Sequence, residues 1–291
     1  MKVHLVDGTY ELFRNYYGAP KRLSPDGREV GATIGLLRSL VALLARPDVT
    51  HVAYAFDHVI ESFRNGLYPG YKTRDGIEPD LLRQFNFVEE GVSALGVVVW
   101  SMVEFEADDA LATGAARFRE LKEVEQVVIC SPDKDLTQCV RGKKVVCWDR
   151  RRDILLDDEG VVKKFGVPPR SIPDWLALVG DSADGYPGIE GWGEKSAATI
   201  LGSFHHLEAI PGDHKVWNLE IRRAESLSEN LEKYRAQATL YRKLATLRED
   251  VPVKETLDDL CWRGADERFK AFCASVGEAD LPNRIVKWQS R

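Results

Sequence analysis

The sequence predicts an α/β protein with a mostly parallel central sheet flanked by helices, followed by a C-terminal region that is all helix. Three observations carry that reading. Apolar runs of strand length, at residues 3–6, 52–56 and 127–130, alternate with segments of helical periodicity. Each run leads within a few residues to an aspartate: Asp7, Asp57 and Asp133. In an open parallel sheet, ligands bind beyond the carboxyl ends of the strands, so these acids are expected at one edge. Beyond residue 170 or so, strand-like runs give way to helical patterns alone.

In chain order, the strand at 3–6 leads to a helix over 32–45, where Leu36, Leu37, Leu40, Val41 and Leu44 recur at helical spacing. The strand at 52–56 precedes a polar, basic stretch over 62–83, then a helix to Ala94 and a short strand at 97–100. A helix opens at Glu106-Ala-Asp108-Asp109, and strands at 127–130 and 144–148 complete the sheet. Segments 173–180 and 194–201 read as two helices joined by a Gly- and Pro-rich loop. A long polar helical region at 230–246 precedes a return segment, 247–260, and a short helix at 266–276. The 291 residues fit one large domain or two of roughly 150 residues each. The expected division is an α/β core over 1–170 with a helical region over 171–291 packed on it.

The apolar fraction of 44% and charged fraction of 30% describe an ordinary globular chain. A net charge of −6 argues against a molecule that is basic all over. Setting aside the nine acids described next leaves +3, so an acidic pocket and a nucleic-acid surface can coexist. Five cysteines with no CxxC spacing point away from a disulfide framework or a zinc site. No secretory pattern precedes the first strand, and no apolar stretch approaches ~18 residues. The expectation is a soluble, cytoplasmic protein that spans no membrane.

The nine acids form five clusters: Asp7, Asp57, Glu106 with Asp108 and Asp109, Asp133 with Asp135, and Asp181 with Asp184. Two unit charges ~4 Å apart repel by roughly 4 kcal/mol at an effective dielectric of about 20. Either the nine do not converge, or cations hold them together. Singly, each cluster has a plain structural account. Glu106 and Asp109 suit a helix start, and Ser131-Pro-Asp133-Lys-Asp135 suits a strand-to-helix turn. Recurrence of all five at strand ends and helix starts is what favours metal. All-oxygen ligands select Mg²⁺ or Mn²⁺ over zinc. The acids exceed what one octahedral ion takes, so two or more ions are expected, an arrangement that suits displacement at a phosphate ester.

Two further segments carry chemistry. The loop Asp184-Gly-Tyr-Pro-Gly188-Ile-Glu-Gly191-Trp-Gly193-Glu-Lys195 lets its backbone approach a ligand closely. The helix after Gly193 offers free N–H groups to a phosphate, and Lys195 adds a charge. This is a helix–hairpin–helix pattern for gripping a nucleic-acid backbone without reading sequence; an ordinary Gly-rich connection is the alternative. Over 62–83, Arg64, Tyr71, Lys72 and Arg74 interleave cations and rings, as a single-strand groove requires. A solvated loop is the other reading there. Arg150-Arg-Arg152, Lys163-Lys164 and Arg222-Arg223 read as solvated faces.

These residues resemble the successive motifs of the 5′ nucleases, the family of flap endonucleases and of the 5′–3′ exonuclease domain of bacterial DNA polymerase I. The matching motifs are Val6-Asp7-Gly8, Phe56-Asp57, Phe105-Glu-Ala-Asp-Asp109, Ser131-Pro-Asp-Lys-Asp135 and Gly180-Asp-Ser-Ala-Asp184. Pro187-Gly-Ile-Glu-Gly-Trp-Gly-Glu-Lys195 is similar to the family's helix–three-turn–helix loop, and Leu244-Ala-Thr-Leu-Arg248 to its C-terminal return. The resemblance covers nearly the whole chain. It implies a divalent-metal 5′–3′ exonuclease and 5′-flap endonuclease, free-standing and monomeric. Its partners would be DNA with a 5′ end, flap or nick, with RNA–DNA hybrid as a further substrate. By the same resemblance, Asp7, Asp57, Glu106 and Asp108 form one metal site. Asp109, Asp133, Asp135, Asp181 and Asp184 form or support the second, with Asp108 and Asp109 open to either. Residues 62–90 would build a helical arch in which Lys72 stabilises the scissile phosphate and Arg64, Tyr71 and Arg74 meet DNA. Arg14 would lie near the phosphates. Gly188, Gly191, Gly193 and Lys195 would grip duplex DNA, with K⁺ held by loop carbonyls.

Three positions depart from the family pattern. Gly185 stands where Asn is usual, Trp192 where a branched aliphatic residue is usual, and Arg74 lies two rather than three residues beyond Lys72. The competing readings are a branched-DNA-binding protein that does not cut and a small α/β ribonuclease of the same core. The full set of acids stands against the first, and the Gly-rich loop with Asp181 and Asp184 against the second.

Overall fold

The computed structural model describes residues 1–289. In chain order the elements are β1 (Lys2–Asp7), α1 (Gly8–Gly18), α2 (Gly31–Leu44), β2 (His51–Asp57), α3 (Pro79–Ala94), β3 (Val98–Met102), α4 (Ala107–Phe118) and β4 (Gln126–Cys130). There follow β5 (Val145–Asp149), β6 (Ile154–Leu156), α5 (Asp158–Phe165), α6 (Ile172–Val179), α7 (Glu194–Phe204), α8 (Ala224–Lys233), α9 (Arg235–Ala245) and α10 (Arg268–Ser275). They group into two compact units. One holds residues 1–60, 74–131 and 249 onward; the other holds 61–73 and 132–248.

In the first unit the strands lie in the order β3-β2-β1-β4, all parallel. Leu5 sits opposite Ala53 on one side and Ile129 on the other. Continuous apolar runs are what strands buried on both faces require, and every residue of β2 is buried. The order changes direction between β1 and β4, and in an open α/β sheet ligands bind beyond the strand ends at such a point. Asp7 and Asp57 are the last residues of β1 and β2. The C-terminal return is tied on by backbone: Val52 N–H donates to Leu260 O at 2.9 Å and Trp262 N–H to Thr50 O at 2.8 Å.

In the second unit β5 and β6 form an antiparallel pair, with Trp148 opposite Leu155. The remaining elements are helices α5 to α9, with α6 packed on α9. Tyr186 stacks on Tyr241 with ring centroids 5.5 Å apart, and Tyr68 meets Tyr241 edge-on at 5.8 Å.

Three expectations change. Helix α1 was not anticipated; Asp7 starts it by accepting the Tyr10 N–H at 2.8 Å, so the strand-end acid is also a helix cap. The region 230–246 lies in two helices, α8 and α9, interrupted at Tyr234, where no glycine or proline warns of it. The helical arch over 62–90 is instead one 3₁₀ turn, Phe63–Gly66, then irregular chain until α3 opens at Pro79. Gly66, Pro69, Gly70 and Gly76 deny that stretch a helix interior. In the packing of the chain, residues 132–170 group with the later helices, and 249 onward with the first strands. No helix among the described residues is long and apolar enough to cross a membrane.

Candidate metal centre and nucleic-acid interface

Asp7, Asp57, Glu106 and Asp109 are buried in the first unit, and Asp108 is half-buried beside them in sequence. Each buried aspartate is oriented by hydrogen bonds to neighbouring elements. Asp7 accepts the Tyr10 N–H and the Ser131 hydroxyl, both at 2.8 Å. Asp57 Oδ1 accepts the Ala107 N–H at 2.7 Å, capping the start of α4 from a neighbouring strand. Asp109 Oδ2 accepts the Glu106 N–H at 3.0 Å. The capping role read for this cluster is therefore real.

The second unit holds a tighter set. One carboxylate oxygen from each of Asp135, Asp181 and Asp184 lies within 4.8 Å of the others, a grouping found nowhere else among the described residues. Local geometry explains how residues so far apart in sequence meet. Asp135 opens a 3₁₀ turn shortly after β4. Asp181 and Tyr186 exchange backbone hydrogen bonds of 2.8 and 3.0 Å, which folds the segment beyond α6 back on itself. Asp181 Oδ1 accepts the Ala183 N–H at 2.9 Å. Asp133 is exposed, and its Oδ1 accepts the Asp135 N–H at 2.8 Å.

Asp135 is 5% exposed, and its Oδ1 is buried with no hydrogen-bond partner. Burial above all, and then the charges of Asp133, Asp184 and Asp181, push its carboxyl well above the usual carboxylate range. Burial, and then the charges of Asp135, Asp184, Asp181 and Asp133, push the Tyr186 hydroxyl up, and that hydroxyl too is without a partner. A buried, unsatisfied acceptor among like charges is costly. A divalent cation bound by hard oxygen donors would relieve both terms, so the residues fit such an ion.

Two lysines already touch this cluster. Lys72 Nζ lies 3.3 Å from Asp184 Oδ1, and Lys134 Nζ lies 2.6 Å from Asp181 Oδ2. Burial opposes the Lys134 ammonium, but the Asp181 hydrogen bond and the charges of Asp181, Asp135 and Asp133 outweigh it and hold it above its ordinary value. Sequence reasoning passed over Lys134; its place between two acids was the available signal. Lys72 is held by its backbone, whose N–H donates to Asp184 O at 3.0 Å and whose carbonyl accepts from Asn65 Nδ2 at 2.9 Å.

Two of the residues expected to meet DNA in the arch do something else. Arg64 is 1% exposed; its Nε donates to Leu244 O at 2.8 Å and its Nη2 to Thr246 O at 3.2 Å, with the guanidinium over the Phe63 ring. Tyr71 is 3% exposed and has no face free for a base. In this structure both side chains are buried, and Arg64 is taken up by backbone carbonyls of its own unit. Arg74 is exposed in the first unit. Arg14, half-buried, pairs with the buried Glu11.

The Gly-rich loop is held by specific contacts. Gly188 and Gly191 have φ of +74° and +84°, and a Cβ on Gly188 would fall 2.5 Å from Gly180 N. Gly193 caps α7, and Lys195 is exposed in its first turn. Trp192 is buried and donates to Leu227 O at 3.1 Å, so the bulky residue anchors the loop to α8. Gly185 has φ +86°, and a Cβ there would lie 2.2 Å from Gly70 O. No other residue fits that approach. A groove of about 750 Å³ is lined by Gly191, Gly193, Lys195, Ser196, Arg222 and Arg223, so the last two border the loop.

Residues 2–166 match a family model described as 5′–3′ exonuclease, N-terminal resolvase-like domain, and residues 167–268 one described as 5′–3′ exonuclease, C-terminal SAM fold. A 5′–3′ exonuclease of Aquifex aeolicus is 33% identical over 259 residues, covering 89% of this chain and 86% of that protein. A DNA polymerase I of Bacillus caldotenax is 32% identical over 281 residues, covering 95% of this chain and 31% of that protein. The chain thus spans about a third of the polymerase relatives it matches. A structure of T5 5′-exonuclease with divalent metal ions (zinc) bound shares the fold, with a TM-score of 0.62 at 16% identity over 98% of this chain and 97% of that one.

Proposed function

This chain belongs to the 5′–3′ exonuclease family, and we propose that it hydrolyses DNA phosphodiesters from 5′ ends and at 5′ flaps with the help of divalent cations. The observation that carries the reading is the Asp135–Asp181–Asp184 cluster, with its unpartnered Asp135 oxygen and Lys72 at its edge. Asp135, Asp181 and Asp184, supported by Asp133, would hold Mg²⁺ or Mn²⁺. Asp7, Asp57, Glu106 and Asp108 or Asp109 would hold a further ion. Bound there, such ions supply Lewis-acid polarisation of a phosphate and a nucleophilic water at neutral pH.

The chain's own groups do the rest. Asn65 and Asp184 fix the Lys72 backbone, so its ammonium is presented as a fixed charge to the phosphate under attack. Lys195 and the first N–H groups of α7 grip duplex phosphates, which orients the strand without reading its sequence. Carbonyls of the loop around Gly191 would take a K⁺ between protein and phosphate. The five cysteines, none of them in a disulfide, suit a reducing cytoplasm.

The test is cleavage of a 5′-flap, a nicked duplex, a blunt duplex and an RNA–DNA hybrid, with product lengths read out. Cutting of the DNA substrates in Mg²⁺ or Mn²⁺, and none in excess EDTA, is expected. Undiminished cutting in EDTA would overturn the metal mechanism. Binding to the flap without cutting would leave the non-cleaving reading in its place, and cutting confined to the hybrid would leave a ribonuclease.

A further inference from the structure

We propose that Lys134 is a resident counter-cation of the Asp135–Asp181–Asp184 cluster, one that lowers the cluster's affinity for a divalent ion. The proposal rests on the metal reading above and adds a residue to it. The contact is not a loose surface pair. The Lys134 ammonium is 2.6 Å from Asp181 Oδ2, its side chain is 34% exposed, and the aspartate's is 5% exposed. The lysine's backbone is also fixed, because its carbonyl accepts the Thr137 N–H at 3.1 Å and so opens the turn Asp135–Cys139.

The three acids of the cluster are held differently. Asp181 has Lys134, Asp184 has Lys72 at 3.3 Å, and Asp135 has a buried oxygen with no partner. An ion that reaches Asp181 must displace the Lys134 ammonium or sit beside it, and either lowers affinity. Loss of one unit charge a few ångströms away should therefore tighten binding by at least about tenfold.

The experiment is a Mn²⁺ titration of the metal-free full chain, reading free Mn²⁺ by electron paramagnetic resonance, in wild type, Lys134→Met and Lys134→Arg. Lys134→Met should bind Mn²⁺ at least about tenfold more tightly at one class of site, while Lys134→Arg keeps the wild-type curve. Adding Asp181→Asn to Lys134→Met should cancel the gain, which assigns it to this cluster. In EDTA the thermal midpoint of Lys134→Met should fall, and Mn²⁺ should restore it. If Lys134→Met does not fold even with Mn²⁺, Lys134→Gln takes its place in the same titration. Equal or weaker binding in the neutral variant would overturn the proposal, because the lysine would then orient Asp181 rather than compete for it. Absence of Mn²⁺ binding in wild type would instead overturn the metal reading itself.

Discussion

Replacing Arg64 with methionine would remove a guanidinium that is 1% exposed and donates to the Leu244 and Thr246 carbonyls at 2.8 and 3.2 Å. Methionine keeps much of the aliphatic stem, so little cavity is left and the loss is chiefly of hydrogen bonds. A bond from a charged donor contributes about 1.5–3 kcal/mol, which places the two together at about 3–6 kcal/mol. Burying a guanidinium carries its own desolvation cost, and that relief moves the expectation to the lower half, about 3–4 kcal/mol. For domains of this size that is a fall in thermal midpoint of about 6–16 °C. Two measurements made together decide the matter: calorimetry at fixed metal concentration, and duplex affinity at several salt concentrations. The structure requires a large drop in midpoint with the salt slope unchanged. An arginine that gripped a phosphate would do the reverse, leaving the midpoint in place and reducing the slope by about one. That result would refute the structural role.

The Asp135 carboxyl is held above its ordinary value by burial and by its acidic neighbours, so the folded state binds more protons than the unfolded chain. Metal-free stability must then fall as pH rises from the ordinary aspartate range through the raised one. Asp135→Asn should flatten that decline in EDTA, raise the metal-free midpoint at neutral pH and abolish most of the gain on adding Mg²⁺; a lower midpoint than wild type at pH 7 would contradict this. Gly185→Ala should cost at least about 2 kcal/mol, from positive φ and the clash with Gly70 O. Gly185→Asn, which restores the residue usual in the family, should do no better in the same denaturation assay. Lys195→Ala should weaken duplex binding equally across sequences and lower the salt slope by roughly one, as fluorescence anisotropy would show.

What the sequence determined by itself was everything that depends on a residue and its near neighbours. Apolar runs of strand length located β1, β2 and β4, because a strand buried on both faces tolerates little else. Acids at the ends of those runs marked the sheet's carboxyl edge, and Gly188 and Gly191 marked turns that need positive φ. Contacts distant along the chain were not legible. Arg64 and Lys72 sit in one basic and aromatic stretch with nothing local to separate them. The first is drawn into the protein by carbonyls about 180 residues away, and the second is left facing Asp184. The same holds for Lys134, whose partner is Asp181, and for the irregular loop that replaces the expected arch. Side-chain chemistry says which bonds a residue can make. Only the tertiary structure, by bringing one acceptor into reach and burying it from water, decides which of them it makes.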